Sequence, residues 1–320
     1  MSRAFLGICA ALMLSTAAVC QCEPSSGPQG GNQLARAVVE NELKAEDADH
    51  ARWMYRLQTR KGQTIEVREV VETKDGSLWR QVAVNGRPLA AQEQKNEDER
   101  IQRLLEDPAQ QRKEQQSRRE DSDQARKLLQ MLPDAFNFIC AGSEGKLVKL
   151  NFVPNPNFHP SSRQAQVFHD MVGSVWVDPL EKRLAGIAGR LMKEVKFGGG
   201  LLGHLDQGGE FFVKQTEITP GHWDMTRLRV NMHGKALFFK TISVQQDEMR
   251  SDYHPVPENL TLSQAAEMLK EANQCGGAKA VIKQQHYQVR SVWSEQRSAK
   301  NQASYARPHR RRRLCPRNSI

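Results

Sequence analysis

Residues 146–153 read KLVKLNFV, 167–177 VFHDMVGSVWV and 190–197 RLMKEVKF; further on, residues 210–218 read EFFVKQTEI, 223–232 WDMTRLRVNM and 235–244 KALFFKTISV. Each run has the length of an ordinary strand, and pieces rich in Pro, Gly or Asn separate most of them. The series predicts antiparallel strands joined by turns. Both faces of these strands are apolar in places. In 235–244 one face takes Ala236, Phe238, Ile242 and Val244 and the other Leu237 and Phe239, while in 210–218 Phe211 and Val213 oppose Phe212 and Ile218. A sheet with apolar residues on both sides must be covered by helices. The expected class is therefore mainly β with helices (α+β), a curved antiparallel sheet or an incomplete β-barrel closed by helices.

Upstream, residues 51–58, 63–76 and 78–86 form three more candidate strands. Asp75-Gly76 and Asn85-Gly86 are hairpin-turn signals, so the three make a meander. Before them, residues 34–48 carry Leu34, Ala37, Val38 and Leu43 at helical spacing. Residues 90–132 break the strand pattern as a charged helical insertion, which Pro108 divides into two helices. Ten acids and nine bases lie between residues 91 and 130, and this balance argues against a nucleic-acid surface. Downstream, residues 259–273 hold a helix that Thr261 or Ser263 caps and Gly276-Gly277 stops.

The chain carries a formal charge of +9. Residues 283–320 hold ten Lys or Arg against the single acid Glu295, so the remaining 282 residues are neutral and the basicity is a tail. Residues 1–20 follow the layout of a secretory signal peptide, with Arg3, an apolar run and then small residues, and a cleavage point near Ala18 or Cys20. The expected organisation is then a signal peptide at 1–20 and a flexible spacer at 21–33. A single curved-sheet domain at 34–275 with the insertion at 90–132 follows, and an edge segment and disordered Arg-rich tail fill 276–320. Export places the protein in the periplasm or outer envelope, and Cys20 or Cys22 is a candidate for lipid anchoring. Cys140 and Cys275 flank the strand-rich region, which suits either a disulfide between them or two buried thiols.

No catalytic motif stands out. His159, His169, His204, His222, His233 and His254 are scattered near turns and strand ends without a metal-binding spacing, and Asp170, Asp178 and Asp206 lie among them. Ser143 and Ser174 lack a nucleophile elbow. The expectation is a protein that is not an enzyme and takes no cofactor and no metal. A hydrophobic-ligand cavity fits the sheet better. Phe152, Trp176, Phe197, Phe211, Trp223 and Phe238 are its candidate walls. Leu201 and Leu202, on the glycine-rich stretch 197–209, are candidates for a lid. The bland reading of the same aromatics is packing, since a large β domain needs an apolar core.

A signal peptide, an N-terminal helix, a long meander with a helical excursion and a late helix together resemble the periplasmic lipoprotein-carrier family. The stretch 173–191 (GSVWVDPLEKRLAGIAGRL) looks like that of outer-membrane lipoprotein-sorting proteins. The insertion and the Arg-rich tail depart from that pattern. The resemblance implies an incomplete barrel that binds an acyl chain, lipid or lipoprotein without catalysis. Anionic lipid or polymer would meet the basic tail, and no specific nucleic acid is expected. The alternatives are a structural scaffold of the envelope, binding a protein or anionic polymer, and an envelope hydrolase. The hydrolase would need His159, His169 or His204 to meet an Asp in space.

Overall fold

The computed structural model describes residues 27–200, 202–236 and 240–276. The expected signal peptide, Leu201, Phe238 and the expected C-terminal edge segment and tail therefore lie outside the described residues, apart from Gly276. The chain order begins with α1 (Gly27–Ala48), β1 (Arg52–Lys61), β2 (Thr64–Thr73), β3 (Gly76–Val84) and the two-residue β4 (Arg87–Pro88). Then come α2 (Ala91–Glu106), α3 (Pro108–Ala135), β5 (Phe136–Glu144) and β6 (Leu147–Pro154). A short 3-10 helix (Gln164–Asp170) precedes β7 (Met171–Asp178), β8 (Arg183–Leu191), β9 (Val195–Phe197) and β10 (Gly203–Leu205). The last elements are β11 (Glu210–Thr219), β12 (His222–Ala236), β13 (Lys240–Val256) and α4 (Leu262–Gly276). Among the described residues, those up to Leu269 form one compact unit that holds the whole sheet.

All thirteen strands of the described residues join one antiparallel sheet in the order β4-β3-β2-β1-β13-β12-β11-β8-β7-β6-β5, with β10 paired to β12 and β9 to β10. Its ends, β4 and β5, do not pair, so the sheet is not closed into a complete barrel. Cross-strand partners share a face, and the register can be followed across eight strands. Cys140, Leu150, Val175, Ile187, Val213, Leu228, Glu248 and Thr59 form one row. The row is apolar from β5 to β12 and turns polar at β13.

Helices cover the two faces at opposite ends. On the face of that row, Leu34, Ala35 and Val38 of α1 pack with Phe136, Phe138, Leu150, Phe152 and Val175, together with Leu128 and Leu132 of α3. On the other face, Met54, Val71 and Leu78 of the first meander pack against Ile101 and Leu104 of α2 and Leu260, Ala265 and Leu269 around α4. Each end of the sheet is thus covered by helices on a different face.

The charged insertion forms the two expected helices. Asp107 caps the second, accepting from the N–H groups of Ala109 and Gln110 at 3.0 and 2.9 Å, and Pro108 opens its first turn, where a missing N–H costs nothing. The 28-residue α3 is polar over most of its length because it bridges the sheet rather than joining the core. Arg118 reaches the carbonyl of Ser77 at the start of β3, at 3.0 Å, and Arg126 pairs with Glu46 and Asp47 at the end of α1. Phe136 follows directly as the first residue of β5.

The sequence reading and the structure part at several places: the run 167–177 begins in the 3-10 helix (Gln164–Asp170) and only then becomes β7, and the run 190–197 is split between the end of β8 and β9. The first helix starts at Gly27, inside the stretch expected to be a spacer. Residues 235–244 are not one strand but span the reversal between β12 and β13, which pair as far as Ala236 and Lys240. That reversal carries none of the Gly, Asn or Pro that mark the other hairpins, so apolar alternation runs straight through it. Finally, β8 is Arg183–Leu191, where Gly186 and Gly189 suggest an interruption. Gly189 faces Gly173 of β7 in the pairing. A Cβ on Gly189 would lie 2.4 Å from Cε1 of Phe211, and one on Gly173 would lie 2.6 Å from Cζ of Phe152. These glycines make room for rings and leave the strand intact. Cys140, in the same core, is disulfide-bonded.

Candidate ligand-binding groove

Between the covered end of the sheet and the uncovered middle lies a groove of about 680 Å³. Its walls come from the end of α1 (Ala45, Ala48, Asp49), from α3 (Ala125, Arg126, Leu129), from β11 (Val213, Gln215) and from the start of β12 (His222 to Met225). A bulge decides this lining. The β11–β12 register shifts between Lys214 and Gln215, so Met225 pairs with Gln215 and Trp223 with Glu217. Val213 and Gln215 point to the row face, and the extra residue turns Met225 and Trp223 to that face as well. Leu228 and Val230 continue the apolar strip along β12.

One end of the groove is fixed by a buried ion pair. Glu42 of α1 takes Nε and Nη2 of Arg183 at 2.8 and 3.2 Å and also the N–H of Leu184 at 2.6 Å. The two side chains are 8% and 13% exposed, so this is a desolvated, bidentate pair rather than a surface contact. Near the other end, Trp53 and Tyr55 of β1 and Tyr253 of β13 form an aromatic cluster, with Tyr55 and Tyr253 ring centroids 5.4 Å apart. A second bulge makes it. The β1–β13 register shifts between Met54 and Arg56, and Asp252 takes a left-handed φ of 54°. Tyr253 is thereby re-aimed onto the face of Tyr55.

Charges sit against these rings. Arg250 lies 5.2 Å from the Tyr55 ring and 3.5 Å from Oδ1 of Asp224. Burial pushes the Tyr55 hydroxyl up to about 12, and Tyr253 is raised by burial and by Asp224. Burial works against the Arg250 cation, yet Tyr55, Asp224, Tyr253 and Glu248 around it hold it above its usual value. Glu72 of β2, which accepts the Trp53 N–H at 3.1 Å, is raised by burial and then by Asp224.

The candidate wall residues do not all meet in one place. Phe152 is fully buried, with its ring 4.6 Å from that of Phe136, and Phe197 and Phe211 pack against the same cluster. Trp176 lies on the opposite face, edge-on to Phe212 at 6.4 Å, and its indole donates to Glu144 at 2.9 Å. Leu202 is half-buried against the turn at Gly198. Of the candidates among the described residues, Trp223 alone lines the groove, its indole held by Glu181 at 2.8 Å. Of the histidines proposed for hydrolysis, His204 approaches Asp206 at 3.3 Å, whereas His159 contacts the carbonyl of Asn157 and His169 the ring of Phe158. Among the described residues no group of three or more His, Cys, Asp or Glu is placed to hold a metal ion. Val213 was legible as one face of its strand, whereas Met225 carried no sequence signal, because its facing depends on a bulge in β12. No family model, curated protein or solved structure matches the chain.

Proposed function

We propose that this is a non-catalytic binding protein of the bacterial envelope that holds a lipid, an acyl chain or the acyl part of a lipoprotein in the groove beneath α1 and α3. The observation that carries the reading is the unfilled space of about 680 Å³ on an unclosed sheet, with Ala45, Ala125, Leu129, Val213, Trp223 and Met225 along it. Small-molecule sites usually run from about 300 to 1,000 Å³, mostly apolar with a few polar groups for orientation. The reading moves the ligand away from Phe152, Phe197 and Phe211, whose rings are spent on packing. It remains closest to the lipoprotein-carrier resemblance, and the basic tail would add contact with anionic lipid or polymer.

Native mass spectrometry with lipid extraction, on protein purified from an envelope fraction, tests it. The expected result is a co-purifying acyl species that Val213→Arg or Met225→Arg removes while Trp176→Arg, on the other face, leaves it. A clean apo mass that takes up no added lipid would overturn the reading. A scaffold role is favoured by a different observation, the uncovered sheet face where Trp176 meets Phe212 and Ile139 and Val153 are exposed.

A further inference from the structure

One nitrogen at the rim of the groove has two partners that require opposite protonation states. Nε2 of His222, on the β11–β12 hairpin, lies 2.7 Å from the indole nitrogen of Trp53 in β1. The same atom lies 3.2 Å from Oδ2 of Asp49, just beyond α1. An indole N–H only donates, so its bond requires a bare Nε2. A carboxylate only accepts, so its bond requires a proton on Nε2. The neutral ring in its Nδ1–H tautomer therefore holds Trp53, and the charged ring, which carries a proton on Nε2, holds Asp49.

The surroundings of the imidazole are mostly acidic. Asp49 also takes the Ala51 N–H at 2.9 Å, and Glu217 of β11 takes the Gly221 N–H at 2.8 Å. Glu72 of β2 holds the Trp53 N–H, Asp224 of β12 faces Arg250 of β13, and Tyr253 of β13 stands edge-on to Trp53 at 6.2 Å. Across the groove, Glu46 of α1 is paired with Arg126 of α3. His222 is only partly exposed, its side chain at 18%, which keeps solvent screening low.

We propose that His222 is a proton-operated clasp at the mouth of the groove. In the neutral state it ties the hairpin to Trp53 and the sheet. In the charged state it lets go of the indole and bonds Asp49, which already lies within reach. Ala48 and Asp49 line one side of the groove and Gly221 and His222 the other, so in the second state a charge-assisted bond latches the two sides together at the distance they already have. Imidazole changes charge between pH 5 and 8, and mild acid should slow the escape of a bound ligand. The clasp rests on the reading of the groove as a ligand site, and its test separates the two.

Two readouts are needed on the full chain. The first is the Trp53 indole N–H resonance followed by NMR from pH 5 to 8. It should shift across that range in the parent and in Asp49→Asn, and not in His222→Gln. The second is the dissociation rate of N-phenyl-1-naphthylamine, a neutral apolar probe, at pH 5.5 and 7.5. Because a charge-assisted hydrogen bond is roughly twice as strong as a neutral one, the rate should fall about fivefold at the lower pH, and both variants should remove that difference. An indole resonance that ignores His222 overturns the clasp. A titrating resonance with a pH-independent dissociation rate overturns its control of the groove. A probe that binds at neither pH overturns the ligand reading, while the resonance still decides whether the switch exists.

Discussion

Substituting Gly189 by Ala puts a methyl group where the structure has a ring. The new Cβ would stand 2.4 Å from Cε1 of Phe211 and 3.0 Å from Sδ of Met171, both well inside contact distance. Overfilling a packed site costs about 1–3 kcal/mol. With two neighbours to displace, the upper half of that range is expected, a fall in Tm of about 4–12 °C for a domain of this size. Phe211→Leu alone removes part of a half-buried ring and should cost about 1–2 kcal/mol. The double variant tells more, because the shorter side chain vacates the space that the methyl needs. The combined cost should fall short of the sum by about 1 kcal/mol or more. Equilibrium urea unfolding of the four proteins closes the cycle. Strict additivity, or a Gly189→Ala variant as stable as its parent, would mean that Phe211 is not seated on Gly189. Its ring would then be free to serve as a ligand wall.

Two further outcomes follow from the charges. Glu42→Ala leaves the Arg183 guanidinium and the Leu184 N–H without their acceptor in a nearly dry site, and should destabilise by about 3–5 kcal/mol; a loss under about 1 kcal/mol in chemical denaturation would show the pair to be solvated. Glu72 has a carboxyl pushed up chiefly by burial, so the folded chain binds more protons there than the unfolded one, and stability contributed by this group falls as pH rises from the ordinary carboxylate value through the raised one. Glu72→Gln keeps an acceptor for the Trp53 N–H, and it should flatten that slope and leave the protein at neutral pH at least as stable; urea midpoints at pH 4, 5.5 and 7 that keep the parent's slope would contradict the assignment.

The fold was legible where local chemistry and tertiary structure agree. Asp75-Gly76 and Asn85-Gly86 mark real reversals, Pro108 marks the start of α3, and the runs 146–153, 210–218 and 223–232 are each strand almost throughout. It was illegible where a residue serves a neighbour distant in sequence. Gly189 looks like a break until Phe211 is seen above it, and the β12–β13 reversal lacks turn residues. The site was harder. Aromatic content pointed to Phe152 and Phe211, and they are aromatic because a core needs them. The groove is made by Val213 and Gln215 together with Met225, which joins their face through a shift in register that no periodicity encodes. His222 was visible as a histidine, and its two competing partners were not.

The strand order has a consequence for how the molecule is made. β1 is flanked by β2, its neighbour in the chain, and by β13, so Leu57 must wait for Arg250 before its second ladder can close. Until nearly the whole chain has emerged, one edge of the first meander stands open, with Trp53 and Tyr55 uncovered beside it. Pairings between such distant segments form slowly, and an unpaired edge is a template for another chain. The yield of folded protein should therefore depend on whatever guards the edge of β1 until β13 arrives.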